Sequence, residues 1–196
     1  TTTGIYTVLA VETSADLTAT SVVVNTTARD IALNNLDTTL PGTNIGTGSN
    51  IIIDTTAPTI TSITSSTANG PYNAGDAIAI RINFSEQITL IGTMTINLDS
   101  GGACLISAFT GTTATGTYTV LAGENSLDLT ATSVVVGTTA RDVALNDLNT
   151  ALPVTNIATG SNIIIDTIDP TITSITSSTA DGAYKAGDNI NIRINF

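Results

Sequence analysis

The stretch "AIAIRINF" (77–84) alternates apolar side chains with small or polar ones, and this alternation decides the fold. Successive side chains of a strand point to opposite sides, so the apolar ones share a single face. The apolar positions are Ile78, Ile80, Ile82 and Phe84. The stretch returns as "NINIRINF" (189–196), where only outward positions have changed. A period of two with one constrained face predicts a half-buried strand of an antiparallel sheet.

This second copy belongs to a long internal repeat. Shifted by 112 positions, residues 1–84 align with residues 113–196 with 19 differences among 84 pairs, and residues 85–112 occur once. A fixed period of this kind indicates a tandem array of domains. The segment "DTTAP" (54–58) and its copy "DTIDP" (166–170) are predicted linkers, because proline ends a strand ladder and biases the preceding residue toward extended backbone.

These linkers divide the chain into three parts. Residues 1–54 are predicted to form the second half of one repeat, residues 55–166 a complete repeat, and residues 167–196 the first strands of the next. The alternating and β-branched runs predict short strands separated by turn-forming residues. Besides 77–84 they are 59–66, 87–91, 94–99, 103–109, 116–122, 128–136 and 162–166. Seven or eight short strands in a unit of roughly 100 residues favour an all-β fold of tandem immunoglobulin-like β-sandwiches.

The charge of the chain excludes several classes of partner. Sixteen acidic residues face five basic ones, which gives a net charge of −11. A field of this sign repels phosphate backbones and anionic lipids, so neither nucleic acid nor a membrane surface is an expected partner. No apolar run approaches the ~20 residues that span a bilayer, and membrane insertion of this segment is not expected. If the parent protein is exported, we expect its signal outside this segment.

The residue types argue against an enzyme. The chain has no His, which excludes Ser-His-Asp and Cys-His arrangements and His-ligated metals. Cys104, the only cysteine, lies in an apolar alternation and is predicted to be a buried structural thiol. Tyr72 and Tyr184 are predicted to cover the end of an aliphatic core rather than to bind a ligand. No catalytic residue is predicted.

Several motifs in order resemble the bacterial immunoglobulin-like repeats of very large secreted and cell-surface proteins. They are "NFSEQITLIGTMTINLDSGG" (83–102), "YTVLAGENSLDLTATSVV" (118–135), "ARDVALND" (140–147) and "ADGAYKAGDNINIRINF" (180–196). The resemblance covers essentially the whole repeat. It implies an extracellular or cell-surface location and a role as a stalk, adhesin, matrix or filament component. It also implies calcium at or near interdomain joints in several relatives.

One position departs from that family's pattern. Leu33 and Leu145 stand where the family's "D-A-x-G-N" turn has Gly. Because glycine adopts positive φ angles readily and leucine does not, this departure argues against a tight turn at these two positions.

Calcium is the cofactor that the acidic residues favour. Hard cations take clustered carboxylate and carbonyl oxygens, and acids that gather at joints between domains would repel one another without a cation. If the strands alternate up and down, the linker residue Asp54 is expected near Glu86, Asp99 and Glu124 at one end of the repeat. At the opposite end, Asp166 and Asp169 are expected near Asp76. These seven residues are the candidate metal ligands. The alternative is that they only form turns, since Asp and Asn bond their own backbone.

The sequence thus predicts a structural, non-catalytic segment of a stalk, adhesin or fibre, with neighbouring repeats of the same chain as its first partners. The alternative is a subunit of an extracellular filament or sheath, in which exposed strand edges pair between copies of the chain. A carbohydrate-binding module is a third reading. It is the weakest, because sugar platforms usually expose aromatic residues and this chain has seven in all, four Tyr and three Phe.

Overall fold

The computed structural model describes residues 1–196, and its regular structure is mostly strand, which confirms the all-β prediction. The elements are α1 Ile45–Gly48, β1 Ile60–Ser65, β2 Gly70–Tyr72, β3 Ala77–Leu98, β4 Ala103–Thr119, β5 Ala131–Val136, β6 Thr139–Arg141, α2 Ile157–Gly160, β7 Ile163–Ile165, β8 Ser174–Ser177 and β9 Ile192–Asn195. Both helices are single turns that an Asn–Thr capping box closes. No helix has the length and apolarity required to cross a membrane.

The long hairpin of β3 and β4 organises the complete repeat. The two strands pair antiparallel from Ala77↔Thr119 to Asn97↔Ala103, and the register shifts between Asn83 and Ile88 and again between Leu90 and Thr93. Strand β1 pairs with the first half of β3, whereas β5 and β6 pair with its second half. A bulge bends a strand and increases its twist, so these shifts mark the places where the hairpin can turn.

The hairpin folds back over itself, so that its tip reaches its own base. The hydroxyl of Ser100, in the tip, lies 2.9 Å from the hydroxyl of Tyr118, near the base. A Cβ built on Gly116 would lie 2.5 Å from the Cys104 Sγ and 2.7 Å from the Ile106 Cδ1. The two halves of one continuous sheet therefore pack as two layers, and a glycine allows their close approach.

The space between the layers holds an aliphatic core. Its 24 buried residues form one cluster that lies entirely between Ile60 and Ile165. The alternation of 77–84 behaves as predicted, because its four apolar side chains are all buried there. Cys104 is buried in the same cluster, and the prediction of a buried thiol is confirmed. Burial raises its pKa to about 11, so it stays protonated at neutral pH.

Some predicted elements differ from the observed ones. The runs 77–84, 87–91 and 94–99 join into β3, since its bulges leave the ladder to β4 otherwise continuous. The loop before this strand contains β2, which pairs in parallel with β7. Strand β6 was not predicted, because three residues are too few to show a pattern and their extended form comes from pairing with β3.

The expectation that Leu prevents a tight turn is wrong. Leu33 has φ 67° and Leu145 has φ 70°, so both adopt the left-handed conformation that glycine would favour. In each turn an aspartate accepts hydrogen bonds from the asparagine that follows the leucine: Asp30 from Asn34 and Asp142 from Asn146. These bonds offset the cost of the unfavourable backbone, which is on the order of 1–2 kcal/mol.

The two incomplete repeats keep local structure but expose their apolar side chains. Residues 1–54 contain α1 and isolated bridges such as Ser14↔Ile53, and residues 167–196 contain the β8–β9 hairpin. Ile192 is 63% exposed, whereas its counterpart Ile80 in the complete repeat is 1% exposed. The same side chain is thus covered only where the whole repeat surrounds it.

Candidate metal centre at the joint

Three carboxylates meet where the linker enters the complete repeat. Asp54 belongs to the linker, Glu86 lies in β3 at its first register shift, and Asp142 follows β6 directly. One oxygen of each lies within 4.8 Å of the others. Asp142 is buried and the other two are half-buried. We call these three residues the joint cluster.

The turn after β6 holds the joint cluster in place. Asp142 accepts a hydrogen bond from the Asn146 backbone N–H at 2.8 Å and another from its side-chain amide at 2.8 Å. The same amide donates to the backbone carbonyl of Asp54 at 3.1 Å. Asn146 therefore ties the turn of the complete repeat to the backbone of the linker.

The electrostatics of the joint cluster favour a bound proton or a cation. Desolvation raises the pKa of Glu86 above its ordinary value of 4.5, and the charges of Asp54 and Asp142 raise it further. An acid whose pKa is raised in the folded state destabilises the fold at a pH above that pKa. The cluster can hold a metal ion, because the three carboxylates offer oxygen ligands close enough to share one ion.

Two of the predicted ligands lie elsewhere than expected. Asp99 and Glu124 were expected near Asp54, but the hairpin folds back and carries its tip to the other end of the repeat. There Asp99 accepts hydrogen bonds from the hydroxyl of Ser126 at 2.7 Å and from the backbone N–H of Thr130 at 2.9 Å. Glu124 accepts from the hydroxyl of Tyr118 at 2.7 Å. In this structure both carboxylates act as hydrogen-bond acceptors that close loops.

The remaining predicted ligands lie at that same end, toward the second linker. Asp76 accepts a hydrogen bond from the backbone N–H of Asn73 at 2.8 Å, and Asp166 accepts one from that of Ile168 at 3.0 Å. Asp169 is exposed. None of the three belongs to a cluster of the kind seen at Asp54. The carboxylates of Asp76 and Asp166 therefore form turns, which is the alternative that the sequence left open.

Sequence reasoning missed Asp142. Its motif was considered only as a turn that Leu145 argued against, and nothing in the spacing of 54, 86 and 142 indicates that these positions meet. They meet because β6 pairs with β3 beyond the first register shift, through Thr89↔Arg141, which places Asp142 beside Glu86. A carboxylate followed four residues later by an asparagine was the only local signal available.

Tyr72 has the role that its position predicted. Its ring packs against the core, and its hydroxyl donates a hydrogen bond to the carbonyl of Ala68 at 2.7 Å. The hydroxyl of Tyr184 donates to Ala180 in the same way. Unlike the ring of Tyr72, the ring of Tyr184 remains partly exposed, because residues 167–196 have no core for it to cover.

No family model, no curated protein and no solved structure matches the chain.

Proposed function

We propose that this chain is a structural, non-catalytic segment of a large extracellular surface protein of the stalk, adhesin or fibre type. In this proposal immunoglobulin-like repeats follow one another, and a calcium ion in the joint cluster stiffens the connection between residues 1–54 and 55–166. The observation that carries the proposal is the position of the cluster: one carboxylate comes from the linker and two from the repeat that the linker enters.

Equivalent contacts at both linkers support a defined joint. The hydroxyl of Thr55 donates a hydrogen bond to the carbonyl of Glu12 at 3.0 Å, and that of Thr167 donates to the carbonyl of Glu124 at 3.1 Å. These pairs are equivalent under the 112-residue shift. The linker therefore bonds back to the repeat that precedes it in the same manner each time, as an array of uniform orientation requires.

Calcium suits the joint cluster on chemical grounds. Its bonds to oxygen are about 2.3–2.6 Å long, so oxygens on opposite sides of one ion lie about 5 Å apart. The 4.8 Å limit within the cluster falls inside that span. Asp54, Glu86 and Asp142 would hold the ion, and a bound cation would neutralise charges that otherwise oppose one another across the joint.

Calcium should raise the thermal stability of the chain. A ligand that binds only the native state adds RT ln(1 + [L]/Kd), which is about 2 kcal/mol at fifty times Kd. We expect a higher Tm in calorimetry with 5 mM CaCl₂ than with EDTA. Glu86→Gln should abolish most of this difference, and Asp169→Asn, which removes the same charge from an exposed site, should preserve it.

The pH dependence supplies an independent check. In EDTA, ionisation of Glu86 costs stability as pH rises from about 4.5 through its raised folded-state pKa, so wild type should lose stability relative to Glu86→Gln across that window.

Equal Tm values with and without calcium would remove the metal from the proposal. A calcium effect that survives Glu86→Gln would place the ion elsewhere.

A further inference from the structure

The loop before β2 contains Asn69, the only asparagine of the chain that glycine follows. An asparagine in this position is prone to deamidation, because glycine has no side chain to shield its backbone nitrogen. Gly70 has φ 148°, an angle that other residues rarely adopt, so the backbone requires glycine here. Asn69 is exposed, and a Cβ built on Gly70 would meet no atom within 4 Å. Water and base can therefore reach this pair of residues.

The pairing of β2 with β7 protects this pair of residues in the folded chain. The Gly70 backbone N–H donates to the Asn162 carbonyl at 3.0 Å, and the side-chain oxygen of Asn69 accepts from the Asn162 backbone N–H at 2.9 Å. Deamidation begins when the Gly70 nitrogen gives up its proton and attacks the side-chain carbon of Asn69. Because Asn162 holds both that proton and that side chain, the attack requires β2 to leave β7.

We propose that Asn69 is a site of spontaneous modification that reacts when β2 leaves β7, and that its isoaspartate product prevents β2 from returning. The Gly70 nitrogen bonds to the Asn69 Cγ, the C–N bond of the carboxamide breaks, and ammonia leaves with the proton from the Gly70 nitrogen. Water then opens the cyclic imide at one of its two carbonyls, which gives aspartate or isoaspartate. Water is the only co-reactant, and the reaction requires no enzyme.

The two products differ in what they do to the β2–β7 ladder. Aspartate keeps the backbone unchanged and still offers an oxygen to the Asn162 N–H, and the next copy of the repeat has Asp181 at this position. Isoaspartate routes the main chain through the side chain, which adds one methylene before Gly70. The Gly70 N–H is then displaced from the Asn162 carbonyl, so β2 cannot pair with β7 in its native register.

The same ladder holds the end of the complete repeat. Strand β7 runs directly into the second linker, and the Asp166 backbone N–H donates to the carbonyl of Tyr72 in β2 at 3.0 Å. The ring of Tyr72 packs against the core and anchors β2 there. Loss of β2 therefore frees the start of the second linker, and isoaspartate at position 69 makes that change permanent. This chemistry goes beyond the proposed function, because it requires neither calcium nor a neighbouring repeat.

Incubation of the full chain at about pH 8 and about 37 °C, followed by peptide mass spectrometry, measures the rate of modification. In concentrated urea we expect Asn69 to convert faster than any other asparagine of the chain. In buffer we expect its conversion to be at least tenfold slower, because only the small fraction of molecules with an open β2 can react. Fragmentation by electron transfer distinguishes isoaspartate from aspartate in the products.

Tyr72→Ala tests the protection by β2, since it removes the anchoring ring and leaves Asn69 and Gly70 in place. In buffer it should raise the rate of conversion at least fivefold, and in urea it should leave the rate unchanged. Tyr184→Ala is the matched control, because it removes the equivalent, partly exposed ring of the next copy and should change neither rate. If circular dichroism shows that Tyr72→Ala is unfolded, the milder variant Tyr72→Leu gives the same comparison.

Hydrogen–deuterium exchange of the purified isoaspartate form tests the consequence. The amides of Gly70 and Asp166 should exchange faster in it than in the unmodified chain, whereas Asn69→Asp should keep the original protection. Equal conversion in buffer and urea, faster conversion at another asparagine, an unchanged rate in the folded Tyr72 variant, or native protection in the isoaspartate form would overturn the inference. Each of these results leaves the proposed stalk and its calcium ion intact, because both depend on the first joint.

Discussion

Ile80→Ala should lower the free energy of unfolding of the complete repeat by about 3 kcal/mol, within the usual range for removing a buried isoleucine. Ile80 lies between the layers with 1% of its surface exposed, so the truncated side chain leaves a cavity that the two sheets cannot close. The measurement is urea unfolding followed by circular dichroism, at a concentration where the chain is monomeric.

The chain contains its own control for this prediction. Ile192 occupies the same position of the next copy, in the sequence "INIRINF" (190–196) against "IAIRINF" (78–84), but lies on an exposed hairpin. Ile192→Ala should change the free energy of unfolding by less than about 0.5 kcal/mol, as surface substitutions usually do. Equal losses for the two variants would mean that both copies bury this residue alike.

Gly116→Ala should have the second largest effect, a loss of about 1–3 kcal/mol from overpacking. Its added methyl would lie 2.5 Å from the Cys104 Sγ, 2.7 Å from the Ile106 Cδ1 and 3.0 Å from the Leu105 carbonyl oxygen. One of these neighbours belongs to the backbone of the facing layer, so a side-chain rotation alone cannot relieve the contact. The layers would have to separate locally.

The matched variant is Gly4→Ala, at the same position of the preceding copy. A Cβ on Gly4 meets nothing within 4 Å, so this substitution should leave stability unchanged or raise it slightly through the lower entropy of the unfolded chain. Urea unfolding of both variants measures the difference. If Gly116→Ala were as harmless as Gly4→Ala, the hairpin would not fold back on itself as described.

The sequence predicted the parts of this fold that depend on local pattern. Alternation identified the buried face of 77–84, and the apolar setting of Cys104 identified its burial. Neither pattern predicts the bend of β3, because the runs 77–84 and 87–91 would show the same residues whether the chain continued straight or folded back between them. The bend depends on long-range packing, with Gly116 against Cys104, which lies twelve residues away in the sequence.

The same limit applies to the candidate metal centre. Asp54 and Glu86 were expected together and do lie together, because Glu86 follows the run 77–84 and that run ends at the same end of the repeat as the first linker. Asp99 and Glu124 were placed with them because simple up-and-down strands were assumed, and the folded hairpin moves both to the far end. Asp142 was not predicted as a ligand, because no local sequence pattern indicates that β6 pairs with β3.

Hydrogen–deuterium exchange of the dilute, monomeric chain in EDTA tests the central claim, that one complete repeat buries an aliphatic seam between two layers. The account predicts that amides of 78–82 and 114–118 exchange only through global unfolding, while those of 190–194 and 2–6 exchange far faster through local opening. Equal protection in both copies, or rapid exchange throughout 78–82, would contradict it.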